Sequence, residues 1–169
     1  TAKLNEQVGA KVSTMAVTKR DGNKEDISLE KITNRISVLS NGLEIDPITI
    51  AQKAIQGLYD GITTNEIDTY LAETAAALTV EHPDYSYLAG RIKANALHKE
   101  TPGFVIATKN LFEDGLLREE YHQKVMANAE EIEKIIDYDR DYLFDYFALT
   151  TLFRAYLLQF NSKVIERPQ

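Results

Sequence analysis

Cysteine is absent from this 169-residue chain. Without a thiol these residues can form no disulfide and no thiolate zinc site, and they can carry out no thiol-based redox step; the redox compartment is left open. Long apolar runs are missing too. None approaches the roughly 20 residues of a membrane-spanning helix, and the opening "TAKLNEQVGAKVST" lacks the continuous apolar core of a signal peptide. Both absences read as a soluble, cytoplasmic chain with no membrane partner. Positive charge is scarce, with 26 acidic against 19 basic residues and a net charge of -7. Such a balance argues against coating nucleic acid or anionic lipid by bulk electrostatics. Histidine is sparse, and His82, His98 and His122 are too scattered for a metal triad. There is no internal repeat and no low-complexity tract.

The positive charge that is present is concentrated. Seven basic and five acidic residues fall within the first 35, so the remainder is strongly acidic. The stretch "MAVTKRDGNKEDISLEKITNRI" places Lys19, Arg20, Lys31 and Arg35 around one Asp21-Gly22 turn. A chain of this length, 44% hydrophobic, predicts one globular domain or two small units sharing a core. Residues 1–14 read as a mobile N-terminal tail.

Short segments on either side of "RDGN" predict a β-hairpin over residues 15–28. Ser28 offers a helix cap, and Leu29, Ile32, Ile36 and Leu39 recur at helical spacing before Gly42, which predicts a helix over about 29–40. Asp46-Pro47 opens a second helix running to about Tyr59. "TTNE" at 63–66 has the form of a capping box and opens a third helix through Val80, with Thr64 and Asp68 on one face of its first turns. A fourth helix begins at Pro83 and ends at Pro102-Gly103, with His98 and Lys99 in its last turn. Beyond that break, residues 102–169 read as an all-helical segment that closes in two short strands about Asn161-Ser162. The start at Thr1 suggests processing or a cloned segment, and the end, in the middle of an apolar-polar alternation, suggests a chain that continues.

The cations admit two readings. In one, Gly22 presents backbone N–H groups at close approach while Lys19, Arg20, Lys31 and Lys99 converge on a polyphosphate. In the other, Lys-Arg beside Asp-Gly is an ordinary solvated hairpin tip. Asp68 is similarly open, because a carboxylate in a first helical turn is commonly only a partner of the helix dipole. Tyr85, Tyr87, Tyr142, Tyr146 and Phe147 read as core or interface aromatics.

Four stretches in collinear order carry a resemblance: "VTKRDGNKEDISLEKI", "GLYDGITTNEIDTYLAETAAAL", "HPDYSYLAGRIKANALHKET" and "IIDYDRDYLFDYFALTTLFRAYLL…ERPQ". Together they resemble the N-terminal region of the class I ribonucleotide reductase large subunit, over nearly the whole chain. The resemblance implies a mainly α fold in which residues 15–101 form an ATP-cone, a short β-hairpin covering a four-helix bundle. Residues 102–169 would then be the helical segment leading to a catalytic barrel that this chain does not include. It further implies an allosteric site where ATP activates and dATP inhibits, with Mg2+ as the nucleotide's counter-ion. By position, Lys19 and Arg20 would hold phosphates and Glu25, Ile27, Ser28 and Lys31 would line the pocket. Thr64 and Asp68 would sit near base and sugar, and Lys99 would reach in from the fourth helix. Implied partners are the rest of the large subunit, other large subunits and the small radical-generating subunit, with no nucleic acid.

With neither barrel nor cysteine, the residues present carry no catalytic group for reducing a ribonucleotide; the oxidoreductase activity belongs to the parent protein. Two rival readings stay in view. A free-standing ATP-cone transcriptional regulator would carry a zinc ribbon, which a chain without cysteine cannot build. A degenerate cone would serve only as an interaction module, although the retained cations, Thr64 and Asp68 speak against it.

Overall fold

A computed structural model describes residues 15–169; the predicted tail, 1–14, lies outside the described residues. Strands β1 (Ala16–Thr18) and β2 (Lys24–Asp26) pair antiparallel with Val17 opposite Glu25. The reversal between them turns through Gly22 at φ +84°, a left-handed conformation that costs glycine little. Three of its amides, that of Gly22 among them, are consumed within the turn. Lys19 N–H donates to the Asn23 carbonyl at 2.8 Å, Gly22 N–H to the Lys19 carbonyl at 3.0 Å, and Asn23 N–H to Asp21 Oδ1 at 2.9 Å. The expected presentation of Gly22 N–H to a ligand is therefore corrected: the turn closes on itself.

The other edge of β1 is also occupied. Thr18 N–H donates to the Ile62 carbonyl at 2.9 Å, Gly61 N–H to the Ala16 carbonyl at 2.8 Å, and Thr18 bridges Thr63 in parallel. The hairpin is thus tied to the residues that open the third helix.

Helix α1 (Leu29–Leu39) is capped by Ser28, whose side chain accepts from Lys31 N–H, a contribution of about 1 kcal/mol. Helix α2 (Pro47–Gln56) starts at the Asp46 cap with proline in its first turn. It stops short of the predicted Tyr59. A side chain at Gly57 would run into the Tyr70 ring, and the amides of Gly57 and Leu58 close tight turns onto Ala54 and Ile55, so the chain bends and Leu58 enters the core. Helix α3 (Thr64–Ala77) has the full capping box, with Thr63 and Glu66 bonding reciprocally. It tightens into a 3₁₀ turn at Leu78–Val80, which buries Leu78 and leaves Val80 outside. Helix α4 (Asp84–Glu100) is the central element, packed on α3, on α1 and on the segment that follows. Ile36, Ile50, Leu71, Leu88 and Ile92 are all but inaccessible, each contributing about 1.5–3 kcal/mol by burial.

After Gly103 come α5 (Phe104–Glu113), α6 (Glu119–Ala127) and α7 (Ala129–Ile135), the last two separated by Asn128. The helical stretch from 138 onward divides in two. Tyr138–Leu143 is 3₁₀, and only Tyr146–Ala155 is α-helix, α8, capped by Asp145. The break lets the backbone of Phe144 and Asp145 lie against α4 at Gly90, where any Cβ would collide. Strands β3 (Gln159–Phe160) and β4 (Lys163–Val164) form the closing hairpin, with Asn161 and Ser162 both at positive φ. No helix among the described residues is long and apolar enough to cross a membrane.

Candidate functional site

Two helices each bring a pair of residues spaced four apart to one cavity: Lys31 and Arg35 from α1, Thr64 and Asp68 from α3. Lys99 from α4 and Arg20 from the end of the first hairpin complete the ring, and the cavity measures about 220 Å³. Its floor is apolar, made by Val17, Ile27, Ile32, Ile67 and Leu71. Helical periodicity explains the arrangement, since residues i and i+4 share a face, and the β1 bridge to Thr63 swings Arg20 across to α3.

Asp68 is the centre of the charge pattern, at 5% exposure. Arg20 Nη2 lies 3.0 Å from its Oδ2, Arg35 Nη1 pairs with Oδ1, and Lys99 Nζ stands 3.9 Å away. A buried carboxylate shared by three cations is not a solvated helix-end charge, so the bland reading of Asp68 does not describe this geometry. Glu25 gathers a second set, with Lys19 Nζ at 2.6 Å and Lys31 Nζ at 3.4 Å. The hydrogen bond from Lys19, then its charge, holds the Glu25 carboxyl below the usual carboxylate range, with Lys31 adding to it. Burial, then the charge of Arg35, pushes the Lys99 ammonium below its ordinary value, while Asp68 partly opposes them. Cations exceed carboxylates around the cavity, which therefore favours an anion.

Eight of the nine residues expected from the sequence line this cavity: Arg20, Glu25, Ile27, Ser28, Lys31, Thr64, Asp68 and Lys99. Lys19 does not; it stands outside, paired to Glu25. Beyond the apolar Val17, Ile32, Ile67 and Leu71, the cavity adds one charged residue not expected from the sequence, Arg35. Its Nε donates to Asn95 Oδ1 at 2.9 Å, and its Nη2 is buried without a hydrogen-bond partner among the described residues. The signal was available, because Arg35 lies one turn beyond Lys31 on the same face. A buried guanidinium N–H without an acceptor costs energy unless a ligand or water accepts from it, and here it belongs to a wall of an electropositive cavity. A second cavity of about 590 Å³ has Arg20 and Lys99 in its wall as well, together with Phe153, Lys163 and Glu100. Among the described residues no cluster of three or more His, Asp or Glu side chains is arranged to hold a metal ion.

An anion-favouring pocket with an apolar lining, bounded by a hairpin and three helices, suits a ligand that is part apolar and part anionic, and defines a ligand-binding class of module. The ATP cone domain family matches residues 15–100, and the chain belongs to that family as a nucleotide-binding regulatory module. The chain is also 43% identical to the ribonucleoside-diphosphate reductase large subunit of Dictyostelium discoideum, over 94% of its own length and 20% of the relative's. The corresponding subunit of Caenorhabditis elegans is 44% identical over 90% of this chain and 21% of the relative, and that of Danio rerio 44% over 92% and 21%. The chain thus spans about a fifth of the length of these curated relatives.

Proposed function

We propose that this chain is the effector-sensing N-terminal part of a cytoplasmic ribonucleoside-diphosphate reductase large subunit, in which ATP activates and dATP inhibits. Residues 15–101 are the sensor and 102–169 the segment leading to the catalytic barrel. One observation carries the reading: Arg35 keeps a buried Nη2, without a partner among the described residues, on the wall of a cavity where Arg20, Lys31 and Lys99 also converge. The apolar floor suits a purine, and the cations suit a triphosphate. Mg2+ would travel with the phosphates and its own waters, since magnesium usually retains several waters and needs few protein carboxylates. Oxidoreductase chemistry belongs to the parent protein, whose partners are other large subunits and the small radical-generating subunit.

Calorimetric titration of the chain with ATP and with dATP, both with Mg2+, tests this directly. Saturable binding of both is expected, and binding of neither would favour a degenerate cone. Salt-dependent DNA binding by the chain would instead support a free-standing regulator.

A further inference from the structure

The cavity is linked by hydrogen bonds to the segment beyond the cone. Arg35 Nε donates to Asn95 Oδ1 at 2.9 Å, and Asn95 Nδ2 donates to Tyr142 Oη at 3.3 Å. The orientation of the Asn95 amide follows from its partners. A guanidinium can only donate, so the amide oxygen must face Arg35, which leaves the NH2 for the tyrosine. Asn95 therefore has one end on α1 and the other on the 3₁₀ segment. Rotation of the amide toward either partner weakens the bond to the other.

Segment 138–143 is suited to respond. Six residues is long for a 3₁₀ element, whose hydrogen-bond geometry is poorer than that of an α-helix, and its closing bond, Phe144 N–H to the Asp141 carbonyl, is stretched to 3.5 Å. Asp141, fully buried in this segment, accepts from His98 Nε2 at 2.8 Å through one oxygen while the other has no partner among the described residues. Tyr142 packs edge-on against the same His98 ring, with centroids 5.4 Å apart. Unpartnered polar atoms thus stand at both ends of the connection, Arg35 Nη2 at the cavity and Asp141 Oδ1 at the segment.

We propose that Asn95 is a positioning residue that couples occupancy of the cavity to the packing of residues 138–143, through the line Asp68–Arg35–Asn95–Tyr142. The inference rests on the nucleotide reading above. An anion that draws Arg35 away from Asp68 or engages its free Nη2 shifts Nε, the Asn95 amide follows, and the hold on Tyr142 changes. Asn95 need not touch the ligand.

Amide hydrogen exchange of the whole chain, with and without saturating Mg-dATP, tests the coupling beside calorimetry on the same samples. In the unaltered chain, dATP should change exchange at residues 138–143 by about fivefold or more, the lower end of ordinary coupling between sites. Tyr142→Phe removes only the hydroxyl; it should leave the dATP dissociation constant within about threefold while abolishing that ligand-dependent change. Asn95→Ala should abolish it as well, and Asn95→Gln should restore part of it. A merely structural role would shift baseline exchange in both states and leave the ligand-induced difference intact. Binding with an unchanged difference in Tyr142→Phe, or no difference in the unaltered chain, overturns the coupling alone. Absence of dATP binding overturns both the coupling and the nucleotide reading.

Discussion

Asp68 and the residues around it carry the sharpest expectations at the scale of single side chains. Replacing Asp68 by Asn removes the carboxylate that Arg20, Arg35 and Lys99 share and leaves three cations facing one another. Thermal or urea unfolding of Asp68→Asn should show a loss of about 1–3 kcal/mol. The same change should alter the ratio of dATP to ATP affinity more than total binding, because phosphate contacts cannot tell two sugars apart. An unaltered ratio by calorimetry would return Asp68 to a structural role. Lys31→Ala should weaken both nucleotides together by about tenfold, as expected for a charge-assisted contact, whereas Lys19→Ala should have a smaller effect, because Lys19 meets Glu25 outside the cavity.

Lys99 adds a pH dependence whose sign is fixed. Its value is lowered in the folded chain, chiefly by burial, so the unfolded chain binds the proton more tightly. The penalty on the charged form is present in full below the folded value and is relieved as pH rises toward the ordinary lysine value of 10.5. A triphosphate stabilises the ammonium, so binding takes up a proton and affinity falls as pH rises. Dissociation constants for dATP should increase as pH rises toward 10.5 for the unaltered chain, and the slope should flatten in Lys99→Arg, which stays charged.

At the scale of elements, positions that admit no side chain decide how helices meet. Gly90 lets the backbone of Phe144 and Asp145 approach α4, and that approach sets segment 138–143 beside Asn95 and His98. Gly90→Ala should destabilise the chain by about 1–3 kcal/mol through forced separation, measurable as a lowered midpoint in urea. Gly57 plays a comparable part beneath Tyr70. Capping was readable from local spacing: Ser28, Asp46 and the Thr63–Glu66 box open the helices where composition placed them. Helix ends were less readable. The stop at Gln56 and the 3₁₀ turns at 78–80 and 138–143 arise from contacts with Tyr70, with the core and with α4, residues distant in sequence.

For the whole molecule, ligand linkage gives the simplest test. A nucleotide that binds only the folded chain stabilises it by about 2.7 kcal/mol at one hundred times its dissociation constant, so the unfolding temperature should rise with dATP concentration. On the proposed function, saturating dATP should also drive the full-length subunit toward larger assemblies in sedimentation, and profiles identical to those with ATP would count against regulation by assembly. The sequence by itself determined the helical cone, its caps, the short closing hairpin and eight of the cavity's residues. The helices, caps and hairpin follow from periodicity and capping chemistry, which act over a few residues at a time, whereas the cone and the cavity residues were implied by the resemblance that the collinear motifs carry. Only the tertiary structure decided that the Gly22 turn uses its own amides, that Lys19 stands outside, and that Arg35 joins Asp68 and Asn95. Each of these depends on how β1, α1, α3 and α4 are set against one another, a relation imposed by packing across the core that no local spacing encodes.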